Sequence, residues 1–481
     1  RRVVNPIAVE RGACSTTPGS GEAVTGGLHV RVELAPGEAK TVRFLAGVTD
    51  NVTPAESTRE LIDRHLSADG FEKAFADLGG ERAAKLAPIW VETPDRDLDR
   101  LTNVWNKQQV DWGATWVRWG IKGYRDILQQ AQGIVTCDPE LARKDFLDAC
   151  RFQYADGFAL RGWDPIDKMA YADSAQWMIG TITEYVKETG DAAVLEETVP
   201  YFDAGEDTVL GHMLKAVRKL WSDRGAHGLS LIHYGDWNDS LTAVGTGGKG
   251  ESVWLSMAFV RACRLLAELA GFLAKPDLAA EMGKMAEEMK KNLNRHAWDG
   301  DWYVCAFDDE GRAIGSQANR EGKIFLNMQS WAAMTGVAEG ERLDRCLAAV
   351  EGELDSGYGF VLNKPVYTEF DPHIGRLTNL EPGIAENGTV YSHGNAFLML
   401  GYLTVGRADA AYHVYRSILP GNPGNPSDSA VPYVFPNAYY GPDHKSSPGR
   451  IEYSWITGSC AWIFQNVTEF MLGVRRDYGG L

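Results

Sequence analysis

The sequence predicts a mainly α-helical fold, an α/α barrel or toroid entered through a short β segment. Amphipathic segments of similar length recur from about residue 55 to the end of the chain. Loops rich in Gly, Asp and Trp separate them, and few long strand patterns appear after residue 50. Helices of this kind bury their apolar stripes against one another, and the loops at one end of such a barrel form the site. A chain of 481 residues is long enough for a large core and more than one domain.

The elements follow in order. Residues 28–47 alternate on either side of Pro36-Gly37, which predicts a β-hairpin. A Gly/Ser/Thr-rich loop precedes them. At Ser57-Thr58-Arg59-Glu60 the pattern turns helical, with capping residues and charged faces. Clear helical segments are 174–189, 206–222, 253–273, 277–295, 342–353, 394–404 and 408–418. Residues 419–450 form a long loop rich in Pro, Gly and Asn. Its aromatics (Tyr433, Phe435, Tyr439, Tyr440) predict an ordered loop, and long ordered loops are usually functional.

Composition removes several classes of function. Apolar residues at 44% and charged residues at 23% are ordinary for a globular protein. A net charge of -17, with no basic tract among aromatics, argues against nucleic acid and anionic membranes as partners. No run of about 18 apolar residues suggests a membrane span, and the first residues show no signal peptide. The seven cysteines lie far apart, with no CxxC or Cys/His ligand spacing. That pattern predicts a reducing cytoplasm and no metal site. The 15 Trp are the one unusual feature. Each is a flat platform on which a sugar can stack, and equally a large core residue.

Four segments carry chemistry. In Gly235-Asp236-Trp237-Asn238-Asp239-Ser240 two carboxylates flank a Trp and an amide. Glycosidic cleavage needs a carboxylic acid to protonate the leaving oxygen. The same residue types also build Asx-turns and helix caps. The following Gly247-Gly248-Lys249-Gly250 lacks the spacing of a phosphate-binding P-loop. Arg125 and Asp126 stand together where a helix starts, fit to hold sugar hydroxyls or to form a local ion pair. His393, in Tyr391-Ser392-His393, can bind an oxyanion or serve as an ordinary buried polar group. Thr457 and Gly458, in Trp455-Ile456-Thr457-Gly458-Ser459, can form a small anion nest or a plain cap.

Taken in order, these segments resemble glycoside hydrolase family 94, the cellobiose phosphorylase-like disaccharide phosphorylases. The Gly-Asp-Trp-Asn-Asp run, the Gly-Lys-Gly-Glu-Ser-Val-Trp run ending at Trp254, and Glu386-Asn387-Gly388 with Trp-x-Thr-Gly-Ser downstream carry the resemblance. Residues 6–12 and 34–38 resemble late strands of that family's β-sandwich. The resemblance implies an (α/α)6 barrel at 91–481, a helical linker at 51–90 and a β-sandwich remnant at 1–50. It implies an inverting phosphorylase that cleaves a cellobiose-like β-glucoside with inorganic phosphate, giving α-D-glucose 1-phosphate. Asp239 would be the general acid. Arg125, Asp126, Trp163, Asp173, Trp177, Asp236, Trp237 and Glu386 would bind sugar; His393, Thr457 and Gly458 would bind phosphate. Arg118 would replace an arginine of a family loop that is shortened here. No metal or organic cofactor is implied, and the family resemblance suggests a homodimer. Two alternatives stand beside it: an inverting hydrolase or transglycosylase using Glu386 or Asp173 as base, and a non-catalytic carbohydrate-binding relative.

Overall fold

The computed structural model describes residues 10–12, 28–47, 54–115, 122–426, 431, 433–454 and 458–480. The chain divides into two compact units, residues 1–83 and 84–481. In the first unit the sequence-predicted turn is present. Glu38 N donates to Ala35 O at 2.9 Å, and Gly37 takes the positive φ of +83° that a turn of this kind asks of glycine. The strands on either side do not pair, and Leu28, Val30, Leu34 and Phe44 stay exposed. Among the described residues no third strand joins them, and a lone hairpin is marginal in water. Helix α1 (Ala55–Leu66) follows, and helix α2 (Ala68–Leu86) begins directly after it.

The regular structure of the second unit is mainly helical, with long loops between the helices. Helix α3 (Arg96–Arg100) starts on Asp95, whose carboxylate accepts from the N–H groups of Asp97 and Leu98. It runs through a wider π turn into α4 (Asn106–Thr115). Then come α5 (Tyr124–Ile134), α6 (Pro139–Cys150), α7 (Trp177–Thr189), α8 (Val209–Ser222), α9 (Val253–Phe272) and α10 (Pro276–His296). The series ends with α11 (Leu326–Met334), α12 (Gly340–Glu353), α13 (Ser392–Thr404), α14 (Ala408–Ser417) and α15 (Ser459–Gln465). The segment predicted at 206–222 starts late, because Glu206–Thr208 pairs with Thr198–Pro200 and the helix begins on the Thr208 hydroxyl.

Burial alternates along this series. Helices α5, α7, α9, α11, α13 and α15 are buried on most faces. The helices between them bury one stripe: α10 buries only Met282, Ala286, Met289 and Leu293, the spacing of a single helix face. Each mostly buried helix packs on the next, and α15 packs back on α5. Aromatic rings from these helices meet one another. Trp177 stacks on Trp254 at 5.9 Å, Trp254 meets Trp331 edge-on at 5.2 Å, and Phe397 meets Trp331 and Trp462 at 5.2 and 4.9 Å. Much of the high tryptophan content is therefore core.

Two-residue strands stand directly before the buried helices: Lys122–Gly123 before α5, Glu251–Ser252 before α9, Ile324–Phe325 before α11 and Val390–Tyr391 before α13. They pair with strands from neighbouring loops, as Lys122–Gly123 does with Gly162–Trp163. This stitching holds the loops that lead into the helix N-termini, and those loops carry the sequence-predicted residues.

Candidate functional site

The loop between α8 and α9 carries Asp236 and Asp239, and the two aspartates do different work. Asp236 is fully buried. Its Oδ1 accepts from Asn238 N at 2.8 Å and Asn238 Nδ2 at 3.0 Å, and its Oδ2 accepts from the Ser252 hydroxyl. This is the Asx-turn that local composition offered as one reading. Burial pushes the Asp236 carboxyl up to about 6, against the Ser252 hydrogen bond. Asp239 is left at the tip of the turn, its side chain 29% exposed.

Arg125 organises the cluster. Its Nη2 donates to Asp239 Oδ1 at 2.5 Å, and its Nη1 donates to the Asp236 carbonyl at 2.8 Å and to Asp173 at 3.2 Å. The position follows from local structure: Tyr124 N donates to the Arg161 carbonyl at 2.9 Å, which sets where α5 begins and puts Arg125 in its first turn. Burial works against the guanidinium charge, but Asp239, Asp173 and Asp126 outweigh it and raise the Arg125 pKa well above its ordinary value. Asp173 has no exposed surface and also accepts from Trp177 Nε1 at 2.8 Å. Burial pushes its carboxyl up, with Arg125 opposing. Asp126, in the same helical turn as Arg125, is exposed.

Glu386 joins from the loop before α13. Both its oxygens accept from the residue next to the candidate acid: Ser240 N donates to Oε2 at 3.2 Å and Ser240 Oγ to Oε1 at 3.1 Å. Burial first, and then the charge of Asp239, raise the Glu386 pKa. On the other flank of the loop, Trp237 meets His393 edge-on at 5.1 Å and Tyr391 at 5.7 Å. Gly458 lies against His393: a Cβ there would be 2.8 Å from His393 Cε1.

The structure thus brings together Arg125, Asp173, Trp177, Asp236, Asp239 and Glu386, with Trp237, His393 and Gly458 beside them. It does not bring Trp163 into the cluster; that ring stacks on Phe152 at 4.7 Å and meets Tyr124 edge-on at 5.7 Å. Arg118 and Thr457 lie outside the described residues. Sequence reasoning missed Ser240 and Ser252, whose hydroxyls hold Glu386 and Asp236. Both stand inside the motif runs, which is a usable signal. It also missed Tyr171, against whose ring the guanidinium carbons of Arg125 and Arg161 lie at 5.4 and 4.8 Å. Among the described residues no group of His, Cys, Asp and Glu is arranged to hold a metal, and no helix is long and apolar enough to cross a membrane.

Residues 83–473 match the family described as the glycosyl hydrolase 94 superfamily, catalytic domain, and residues 1–67 match its supersandwich domain. The chain is 43% identical over 480 residues to solabiose phosphorylase of Paenibacillus borealis, covering 99% of this chain and 62% of that protein. It is 32% identical to the same organism's 3-O-beta-D-glucopyranosyl-beta-D-glucuronide phosphorylase, covering 99% and 63%. It is 31% identical to cellobionic acid phosphorylase of Neurospora crassa, covering 99% and 62%. The chain therefore spans somewhat less than two thirds of these relatives. Among solved structures, the GH63 mannosylglycerate hydrolase of Thermus thermophilus overlays with a TM-score of 0.55 at 14% identity, over 76% of this chain and all of that one. That likeness is one of fold.

Proposed function

We propose, from the premise that this chain belongs to the glycosyl hydrolase 94 superfamily, that it is the catalytic part of an inverting disaccharide phosphorylase. The substrate is a β-linked, cellobiose-like disaccharide or oligosaccharide, and the products are α-D-glucose 1-phosphate and the released sugar. The helices form an (α/α)6 barrel, a reading supported by the alternation of burial and by the packing of α15 back on α5. In this reading residues 1–50 are the end of a β-sandwich, 51–90 a linker and 91–481 the barrel. The working molecule is a cytoplasmic homodimer; the six free cysteines among the described residues suit a reducing compartment.

Asp239 gives its proton to the leaving glycosidic oxygen as the bond to the anomeric carbon breaks. A phosphate oxygen attacks that carbon from the opposite face, so the configuration inverts. Phosphate is itself the nucleophile, and the scheme needs no metal or organic cofactor. Arg125, Asp126 and Asp173 hold the non-reducing sugar, with Trp237 as its wall. Glu386 lies on the acceptor side, and Trp163, Trp177 and Asp236 support the sugar site from beneath. Arg118, His393, Thr457 and Gly458 hold the phosphate dianion.

The observation that carries this reading is the engagement of both carboxylates that the sequence offered as a base, Asp173 and Glu386. An inverting hydrolase needs a free base about 6.5–9.5 Å from the acid to activate water. Asp173 is engaged by Arg125 and Trp177, and both oxygens of Glu386 are engaged by Ser240. Neither stands ready to take a proton from water, whereas phosphate brings its own charge. The test is product formation from β-glucobioses with and without inorganic phosphate. Turnover is expected only with phosphate; equal rates in both reject phosphorolysis in favour of the hydrolase.

A further inference from the structure

A cavity opens beside Tyr171, on the loop that leads into α7. Its volume is about 400 Å³, within the roughly 300–1,000 Å³ typical of small-molecule sites. Tyr154, Phe158, Lys168, Tyr171, Asp203 and His233 give it its chemistry. We propose that this cavity binds one neutral hexopyranose unit, as an accessory sugar site apart from the Asp239 cluster.

Three polar tips on its wall are uncommitted. Lys168 makes no ion pair among the described residues; its recorded contact is with the Phe202 ring, 5.5 Å away. The Tyr154 hydroxyl has no hydrogen bond among the described residues, and that side chain meets Phe202 edge-on at 5.5 Å. One Asp203 oxygen accepts from Ala155 N at 2.9 Å, which leaves the other open. Two other side chains of the wall are taken. His233 is bound to Asp223 Oδ2 at 2.5 Å, and Asp156 is paired with Lys219 at 2.9 Å.

The uncommitted set is thus an ammonium, a carboxylate oxygen and a hydroxyl, beside the rings of Phe158 and Tyr171. Vicinal sugar hydroxyls donate to the carboxylate and accept from the ammonium, and the C–H face of the ring lies on the aromatics. One free positive and one free negative group cancel, which favours a neutral sugar over a sugar acid or phosphate. The cavity wall is coupled to the acid loop. Ala172 N donates to the Gly235 carbonyl at 2.9 Å and Tyr234 N to the Ala170 carbonyl at 3.3 Å, one residue before Asp236 is reached. A sugar held there touches the ring against which Arg125 lies.

The test is saturation-transfer NMR on the full chain, with methyl β-D-glucopyranoside as probe. Two variants separate the sites: Arg125→Ala, which cripples the Asp239 cluster, and Tyr154→Phe/Lys168→Met, which removes only exposed polar tips. Transfer is expected to persist in Arg125→Ala. With the double substitution placed in the Arg125→Ala background, the binding that persists is expected to weaken about tenfold or more, the scale of losing a charge-assisted hydrogen bond. A melting temperature unchanged from that of Arg125→Ala certifies that the combined variant is folded, and Tyr154→Phe alone in that background should give a smaller loss in the same direction. The proposal is overturned if the wild type shows no transfer, if Arg125→Ala abolishes it, or if the folded Arg125→Ala/Tyr154→Phe/Lys168→Met variant keeps it in full. None of these outcomes depends on phosphorolysis.

Discussion

Gly458 matters through what it lacks. An alanine methyl there would sit 2.8 Å from His393 Cε1 and 3.3 Å from Nε2, so the imidazole would have to turn. If His393 holds phosphate, Gly458→Ala should raise KM for phosphate by about tenfold, equivalent to about 1.4 kcal/mol, with a smaller change in KM for the sugar. Initial rates with each substrate varied in turn measure this; equal rises in both would remove the phosphate role. Asp239 makes a sharper case. In Asp239→Asn the amide oxygen can still accept from Arg125 Nη2, so the cluster keeps its contact and loses the carboxyl's charge and transferable proton. Turnover should fall by about 10²–10⁴-fold, with KM close to that of the wild type. A variant that keeps most of its turnover would show that another group protonates the leaving oxygen. The division between Asp236 and Asp239 was not legible in the sequence. Both are Asp beside Trp237, and only the hydrogen bonds of Asn238 and Ser252 show which one builds the turn.

At the scale of elements, legibility follows from the strength of the local signal. The helices 253–272 and 276–296 were readable because each is a run of 20 or 21 residues of helix formers, opened by Ser252 in the one and Pro276 in the other. The strands were not, since each is two or three residues long and depends on a partner far along the chain, as Gly162–Trp163 depends on Lys122–Gly123. Trp163 shows the limit for a site. A Trp beside Gly and Asp has the same local composition whether it faces a sugar or stacks on Phe152. No periodicity announced the clasp at the far end of α7 either. There Arg476 donates to Glu184 at 2.8 Å and Glu188 at 3.0 Å, and also binds Glu469, so that the last described segment is tied to α7. The Arg476 side chain is 5% exposed. Replacing it with Met would leave three glutamates facing each other with little water. Breaking a buried pair in this way costs about 3–5 kcal/mol. Arg476→Met should therefore lower the melting temperature clearly, whereas Arg345→Met, which breaks an exposed pair with Asp301, should hardly move it.

For the whole molecule, the balance of buried titratable groups sets where it is most stable. Burial pushes Asp145 and Glu452 up to about 7 and Asp236 up to about 6, and it raises Asp173, Glu386 and Glu469 as well. Each of these carboxyls holds its proton more tightly in the folded chain than in the unfolded one. Their contribution is present in full below the unfolded pKa, near 4, and is lost as pH rises through the folded values. Two histidines act in the opposite sense. Burial lowers His212 and His296, so they favour the folded chain least in acid, below about 6.5. The carboxyls outnumber them, and the net charge of -17 adds self-repulsion as the last acids ionise. Resistance to denaturant should therefore be greatest near about pH 4–5 and fall toward pH 8, which equilibrium urea unfolding across that range would measure. If the site holds phosphate as proposed, it has the opposite interest, because phosphate attacks better as a dianion and a ligand for the folded state adds stability of its own. Added phosphate should flatten the decline between pH 6 and 8. It should do so less in Gly458→Ala, where the imidazole against residue 458 is displaced. If the decline is the same with and without phosphate, the anion is not held by the folded chain.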